Sequence, residues 1–139
     1  MAKSERAVRT QANPTAEVRL VDQADLGFVV RGGPPGAAYV ARAFPDDGLS
    51  PLGIGFARWE GARVSWTTLY EEVIFTIEGS LSVEVGGCQH HVKPGQVLWI
   101  PKYTELIYSG FALFGYVVYP GNWKQTCNED LEEPTMHLR

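Results

Sequence analysis

A carboxylate doublet, Glu71-Glu72, leads a β-branched and aromatic run in the stretch WTTLYEEVIFTIEG, Trp66 to Gly79. A carboxyl group taken out of water holds its proton more firmly, and one poised near neutrality can act as general acid or base. Phenols surround the doublet in sequence at Tyr70, Tyr103, Tyr108 and Tyr116. Their hydroxyls both donate and accept hydrogen bonds, so they can orient a small polar ligand. The remaining chemical groups are His90, His91 and His137, the thiols Cys88 and Cys127, and Lys102. His90 and His91 are adjacent, so on a strand they face opposite ways and cannot enter one site from one face. Lys102 could attract a carboxylate or phosphate, although a surface position is the plainer reading.

Other chemistries find little support. The loop GGPPGAAY is glycine-rich but lacks the Lys-Ser/Thr pair and following helix of a phosphate cradle. The two cysteines fit no metal or redox spacing and read as reduced thiols of a cytoplasmic protein. The chain is acidic, with a formal charge of −4 and a pI near 5.3, whereas nucleic acid needs a basic face. No stretch approaches the ~20 apolar residues of a membrane helix, and no apolar export signal opens the chain.

The elements that must position these residues read as strands. The 139 residues suit one domain. EVRLVD, FVVRGG, AAYVARAF, GIGFARWEG, EEVIFTIEG, SLSVEVGG, CQHHVKPG, QVLWIP, ELIYSG and FALFGYVVYP give about ten short strands, the signature of a sandwich or barrel. Strict alternation at Leu81, Val83 and Val85 predicts one buried face, and Gly86-Gly87 predicts a tight hairpin turn. Glu72, Ile74, Thr76 and Glu78 share one strand face, opposite Glu71, Val73, Phe75 and Ile77. From spacing alone, Glu72 reads first as a solvated strand-edge glutamate. Residues 1–14 form a polar, basic tail, 15–125 the β domain, and 126–139 an acidic tail that is a short helix, an extended arm or a subunit contact.

The order of motifs is specific. A strand ending in Glu-Gly, a hairpin, and then KPGQVLWIPKYTEL resembles the two-motif pattern of the cupins, small jelly-roll barrels. Glu72 and Gly79 match the first motif, and Pro94, Gly95, Ile100 and Pro101 the second. The resemblance implies an all-β, single-domain jelly-roll barrel with Glu72 pointing inward. It also sets the places of the usual metal-binding histidines at Trp66, Thr68 and Leu106, none of them a good ligand, so no metal is expected there. The closer likeness is to the ethanolamine-utilisation protein Q (EutQ) family, through Trp59-Glu60, WTTLYEE, IPKY at Ile100 to Tyr103, and YVVYPGNW at Tyr116 to Trp123. Tyr103 stands where that family usually has Gly, Glu71 where it often has Asp, and a short leader where it has an extended N-terminal region.

What the resemblance implies is a cytoplasmic barrel that binds or processes a small polar metabolite. Glu72 is the expected catalytic group. Trp66, Thr68, Tyr70, Tyr103, Glu105 and Tyr108 are the expected substrate-binding residues. The acetate kinase activity attributed to the family implies acetate or acyl-phosphate metabolism, with nucleotide and Mg²⁺ if that activity applies; the residues themselves predict no cofactor, although Glu60, Glu72 and Glu105 could hold Mg²⁺ through water. A homodimer is expected, with Trp99, Trp123 and the tails contributing. Two other readings stand beside this one: a metal-dependent isomerase, lyase or dioxygenase with ligands relocated to His90 or His91, Glu72 and Glu105, and a non-catalytic sensor or scaffold.

Overall fold

The structure, a computed structural model, describes residues 17–124 and the backbone of residues 137–138. The N-terminal tail, Cys127 and most of the C-terminal tail lie outside the described residues. The described residues contain nine strands: β1 (Val29–Gly32), β2 (Ala37–Arg42), β3 (Gly53–Glu60), β4 (Val64–Thr67), β5 (Glu71–Val85), β6 (Cys88–Val92), β7 (Val97–Ile100), β8 (Glu105–Tyr119) and β9 (His137–Leu138). Every pairing between them is antiparallel. The fold is the all-β jelly roll expected from the motifs.

Two 15-residue strands, β5 and β8, form its spine and pair along nearly their whole length. The other edge of β8 carries β3 and β4, and β2 and β1 follow outward from β3. The other edge of β5 carries β7 near its start and β6 near its end. The core lies inside the curled sheet, built from Ala57, Trp59, Val64, Ile74, Leu81, Val83, Leu106, Phe114 and their neighbours.

The Glu78-Gly79 pair does not end a strand, as the sequence led one to expect. EEVIFTIEG and SLSVEVGG are one strand, and so are ELIYSG and FALFGYVVYP. Thr76 lies opposite Phe114 and Glu78 opposite Leu113, so Ile77 is an extra residue in a β-bulge. The insertion reverses the side-chain alternation. Before it the buried positions of β5 are Glu72, Ile74 and Thr76; after it they are Leu81 and Val83. Glu78, expected on the Glu72 face, is exposed for this reason. On β8 the even-numbered Leu106, Tyr108, Ala112, Phe114 and Val118 stay inside throughout. Without the extra residue, one half of β5 would turn its apolar side chains to water.

Gly79 makes the bend feasible. Its φ is +78°, and a Cβ there would come within 2.2 Å of the Phe111 carbonyl oxygen. Gly86 and Gly87, by contrast, turn the β5–β6 hairpin with φ of +58° and +82° in open space, as the sequence predicts.

The segment EVRLVD forms no strand. Val18 and Leu20 are almost fully exposed, and β-branched residues do not hold a strand without a surface to pack on. A single 3-10 turn, Gln23–Asp25, follows, with Asp22 accepting the Ala24 N–H at 2.9 Å. Near the C-terminus, β9 pairs with Val64 and Ser65 of β4.

Gly79→Ala should destabilise the protein by about 2 kcal/mol or more, because a strained φ and a backbone clash coincide. Gly86→Ala should cost about half as much or less. Urea unfolding of the two variants measures the contrast.

Candidate functional site

Glu72 enters the barrel from the first turn-proximal pair of β5, flanked by Ile100 of β7 and Val118 of β8. It is 5% exposed. The Tyr108 hydroxyl donates to its Oε1 at 2.8 Å. Burial pushes the Glu72 carboxyl up to about 7, and the Tyr108 hydrogen bond restrains the rise. Tyr70 and Tyr108 are both held well above the usual phenol range, first by burial and then by the charge of Glu72. At neutral pH the site therefore offers one half-ionised carboxyl group between two neutral phenols. Such a carboxyl can give a proton to a ligand or take one from it.

A cavity of about 100 Å³ opens above this pair. Trp59, Tyr70, Glu72, Tyr108, Phe114, Tyr116 and Trp123 line it together with two arginines, Arg31 and Arg42. The ring of Trp59 packs on Tyr108 and Phe114 at centroid distances of 5.4 and 5.7 Å.

Sequence reasoning missed both arginines, and the structure shows why. Arg31 sits in β1 between Val30 and Gly32, where the register with β2 slips. Bulges commonly re-aim a side chain, and nothing in VVRGG marks one. Arg42 ends β2 opposite Gly55. Its Nε donates to the Phe44 carbonyl at 2.8 Å. That two basic residues share one cavity depends on strand pairing, which spacing does not reveal.

Of the expected binding residues, the structure brings Tyr70 and Tyr108 to Glu72 and leaves the others apart. Trp66 stands just behind Tyr70, and its indole N–H donates to the Tyr70 hydroxyl at 2.9 Å. Thr68 is buried but occupied with structure: its hydroxyl donates to the Pro101 carbonyl and accepts the Thr104 N–H, tying two loops together. Tyr103 is 64% exposed and has a φ of +67°. That left-handed backbone favours glycine, and the Tyr103 ring lies beneath Lys102 and does not line the cavity. Glu105 is exposed at the start of β8 opposite Thr67. Trp123, offered as an interface residue by the sequence, is buried against Tyr70 and Trp66.

The relocated metal set does not assemble. His90 and His91 are exposed on β6, opposite Val83 and Ser82, at the far end of β5 from Glu72. The His91 Nδ1 is 2.8 Å from the Ser82 hydroxyl. Among the described residues, no three His, Cys, Asp or Glu side chains lie close enough together to hold a metal ion.

A sequence profile described as ethanolamine utilisation protein EutQ matches residues 8–125. The chain belongs to the EutQ family. It is 29% identical over 112 residues to the acetate kinase EutQ of Clostridioides difficile, covering 79% of this chain and 68% of that protein. It is 37% identical over 81 residues to the Escherichia coli acetate kinase EutQ, covering 57% of this chain and 34% of that protein. It thus spans about a third of the length of the E. coli relative. The solved Clostridium difficile EutQ structure superposes with a TM-score of 0.63 at 29% identity, over 79% of this chain and 85% of that one. A cupin domain of an Enterobacter cloacae transcriptional regulator superposes at 0.53, over 59% of this chain and 95% of that one; at 18% identity it supports the cupin fold alone. In this EutQ barrel, then, the cupin centre is filled by a carboxylate, two phenols and an indole.

Burial of Glu72 should appear in the pH dependence of stability. Its folded midpoint near 7 lies above the ordinary glutamate value of 4.5. The folded protein therefore binds the proton more tightly than the unfolded chain. The associated stability is fully present below pH ~4.5 and is lost as pH rises to ~7, a difference on the order of 3 kcal/mol. Glu72→Gln should flatten this slope in urea unfolding at pH 5 and pH 8.

Proposed function

We propose that this EutQ barrel binds and processes a small anionic metabolite of the size of acetate or acetyl phosphate, with Glu72 as its acid/base. One observation carries the reading: a buried carboxyl with a midpoint near 7 shares a cavity of about 100 Å³ with two arginines and two phenols. Guanidinium groups pair well with carboxylate and phosphate oxygens. The apolar walls of Trp59 and Phe114 suit a short carbon chain. Glu72, when protonated, donates to a ligand oxygen; when ionised, it accepts a proton from the ligand. The acetate kinase name of the relatives supports the same ligand class. A cytosolic setting belongs to this reading and accords with the exposed free thiol of Cys88. No helix among the described residues is long and apolar enough to cross a membrane.

In this reading a nucleotide is too large for the cavity of about 100 Å³. Pockets for larger ligands run to about 300–1,000 Å³. Glu60 and Glu105, which with Glu72 could have shared Mg²⁺, are exposed on other strands and do not line the cavity. Among the described residues one carboxylate, Glu72, reaches the cavity, so a Mg²⁺ ion there would need the phosphate of a ligand and water to complete its shell.

In this reading wild-type protein binds acetate and acetyl phosphate, and Arg42→Ala weakens both roughly tenfold through the lost charged hydrogen bond. Glu72→Gln lowers hydrolysis of acetyl phosphate to acetate and inorganic phosphate, with water as the phosphoryl acceptor, by ~100-fold or more. Calorimetry and a discontinuous assay measure the two effects. Unchanged binding and turnover in Glu72→Gln would remove Glu72 from the site.

The partner proposed is a second copy of the chain. Val97 and Trp99 of β7, Phe75 and Ile77 of β5, and Tyr119 of β8 are 44–59% exposed on the outer face of one sheet. Val73 links them, lying opposite both Trp99 and Val117. The Trp99 indole is held in place by a 2.9 Å hydrogen bond to Glu71. Such a pre-ordered aromatic face suits a two-fold interface of about 800 Å² per subunit. Sedimentation should show a dimer that Phe75→Glu converts to a monomer; a monomeric wild type would refute the pairing.

A further inference from the structure

Two buried side-chain polar atoms have no hydrogen-bond partner among the described residues: the Trp59 indole nitrogen and the Thr76 hydroxyl. Of these two residues, Trp59 lines the cavity beside Glu72. Burying a donor without a partner is costly, and native structures hold few such atoms. An indole N–H donates and does not accept, so whatever satisfies it must be an acceptor. Trp66 and Trp99 supply the contrast. Their indole N–H groups donate at 2.9 Å to Tyr70 and to Glu71.

The place of Trp59 follows from the strand that carries it. The inward row of β3 reads Gly53, Gly55, Ala57 and Trp59, so its side chains grow along the strand. A Cβ at Gly53 would come within 2.7 Å of a Val118 methyl, and one at Gly55 would collide with the Tyr116 hydroxyl and the Ala41 carbonyl. The small residues thus leave room that Tyr116 and the cavity share. Arg42, which is exposed, pairs with Gly55 towards that end of the row. Trp59, 2% exposed, stands at the other. Tyr108 and Phe114 pack on its ring at 5.4 and 5.7 Å, which keeps the indole from turning out to solvent.

We propose that the Trp59 indole N–H is a ligand-binding donor: an oxygen of the small anion in the cavity accepts a hydrogen bond from it, while the arginines meet the charge. The inference rests on the anion-binding reading of the same cavity and adds a specificity to it. The occupant needs an acceptor at its buried end. A hydrocarbon or an ammonium group of the same size would leave the N–H unpaired in a place sealed from water, and a site built to hydrogen-bond its ligand rejects such analogues strongly. The face of the Trp59 ring supplies an apolar wall and its edge supplies the donor, so one side chain reads both the carbon and the oxygen of the ligand.

The test is NMR of the indole N–H groups in the isotope-labelled full chain, assigned through bonds, with calorimetry on the same samples and acetate as the probe. Acetate should move the Trp59 signal downfield with the midpoint that calorimetry gives, and should leave the signal of Trp99, on the outer face, in place. Trp59→Phe should weaken acetate binding roughly tenfold, the loss of one hydrogen bond to a charged group. Acetate binding with the Trp59 signal unmoved, or unweakened binding in Trp59→Phe, would overturn the inference and leave the proposed function standing. No acetate binding to wild type would remove both. Should Trp59→Phe fail to fold, the wild-type titration decides the matter alone.

Discussion

The structure depends on the burial of one carboxyl group. Glu72 sits on the inward face of β5 with apolar neighbours on both flanking strands. Desolvating a charge is costly unless it gains partners or a proton. Here it gains both in part: one hydrogen bond from Tyr108 and a midpoint raised to about 7. The compromise leaves a group that is neither a permanent anion nor a permanent acid. A fully paired carboxylate would be inert as an acid, and an unpaired one would stay protonated far above neutrality. The single phenolic donor keeps it between these limits.

Two backbone irregularities make this arrangement feasible. The extra residue in β5 lets Glu72 and Leu81 both face inward, although their numbers differ in parity. The register slip in β1 falls at Arg31 and brings a guanidinium to the cavity from an edge strand. Regular strands in either place would separate the cation from the carboxyl or turn the core outward. The lining of the cavity thus rests on departures from ideal pairing, which bulges commonly provide by re-aiming a side chain.

Much of this was legible in the residues. Alternation at Leu81, Val83 and Val85 fixed a buried face, and Gly86-Gly87 fixed the hairpin, because both follow from local geometry. The inward carboxyl and its phenols, Tyr70 and Tyr108, followed from motif order. What stayed hidden is non-local. The continuity of β5 through Gly79 could not be read, since a glycine at positive φ serves a turn and a bulge equally well. Tyr103 looked like a ligand contact because its sequence neighbours are motif residues, but its ring lies beneath Lys102 and does not line the cavity. Thr68 looked like a vacated ligand position and proved to be a staple between loops. EVRLVD has strand composition and no strand to join.

The central claim is that a small anion binds beside Glu72, within a cavity where that carboxyl is half ionised. An anion placed there raises the proton affinity of its neighbour, so binding should draw a proton from solution. The most direct measurement is calorimetry of acetate binding at pH 7.5 in buffers of different ionisation enthalpy. Net proton uptake of at most about three-quarters of a proton per acetate bound is expected, because a group with a midpoint near 7 is about three-quarters ionised at pH 7.5 before the anion arrives. Binding with no proton uptake in any buffer would contradict it.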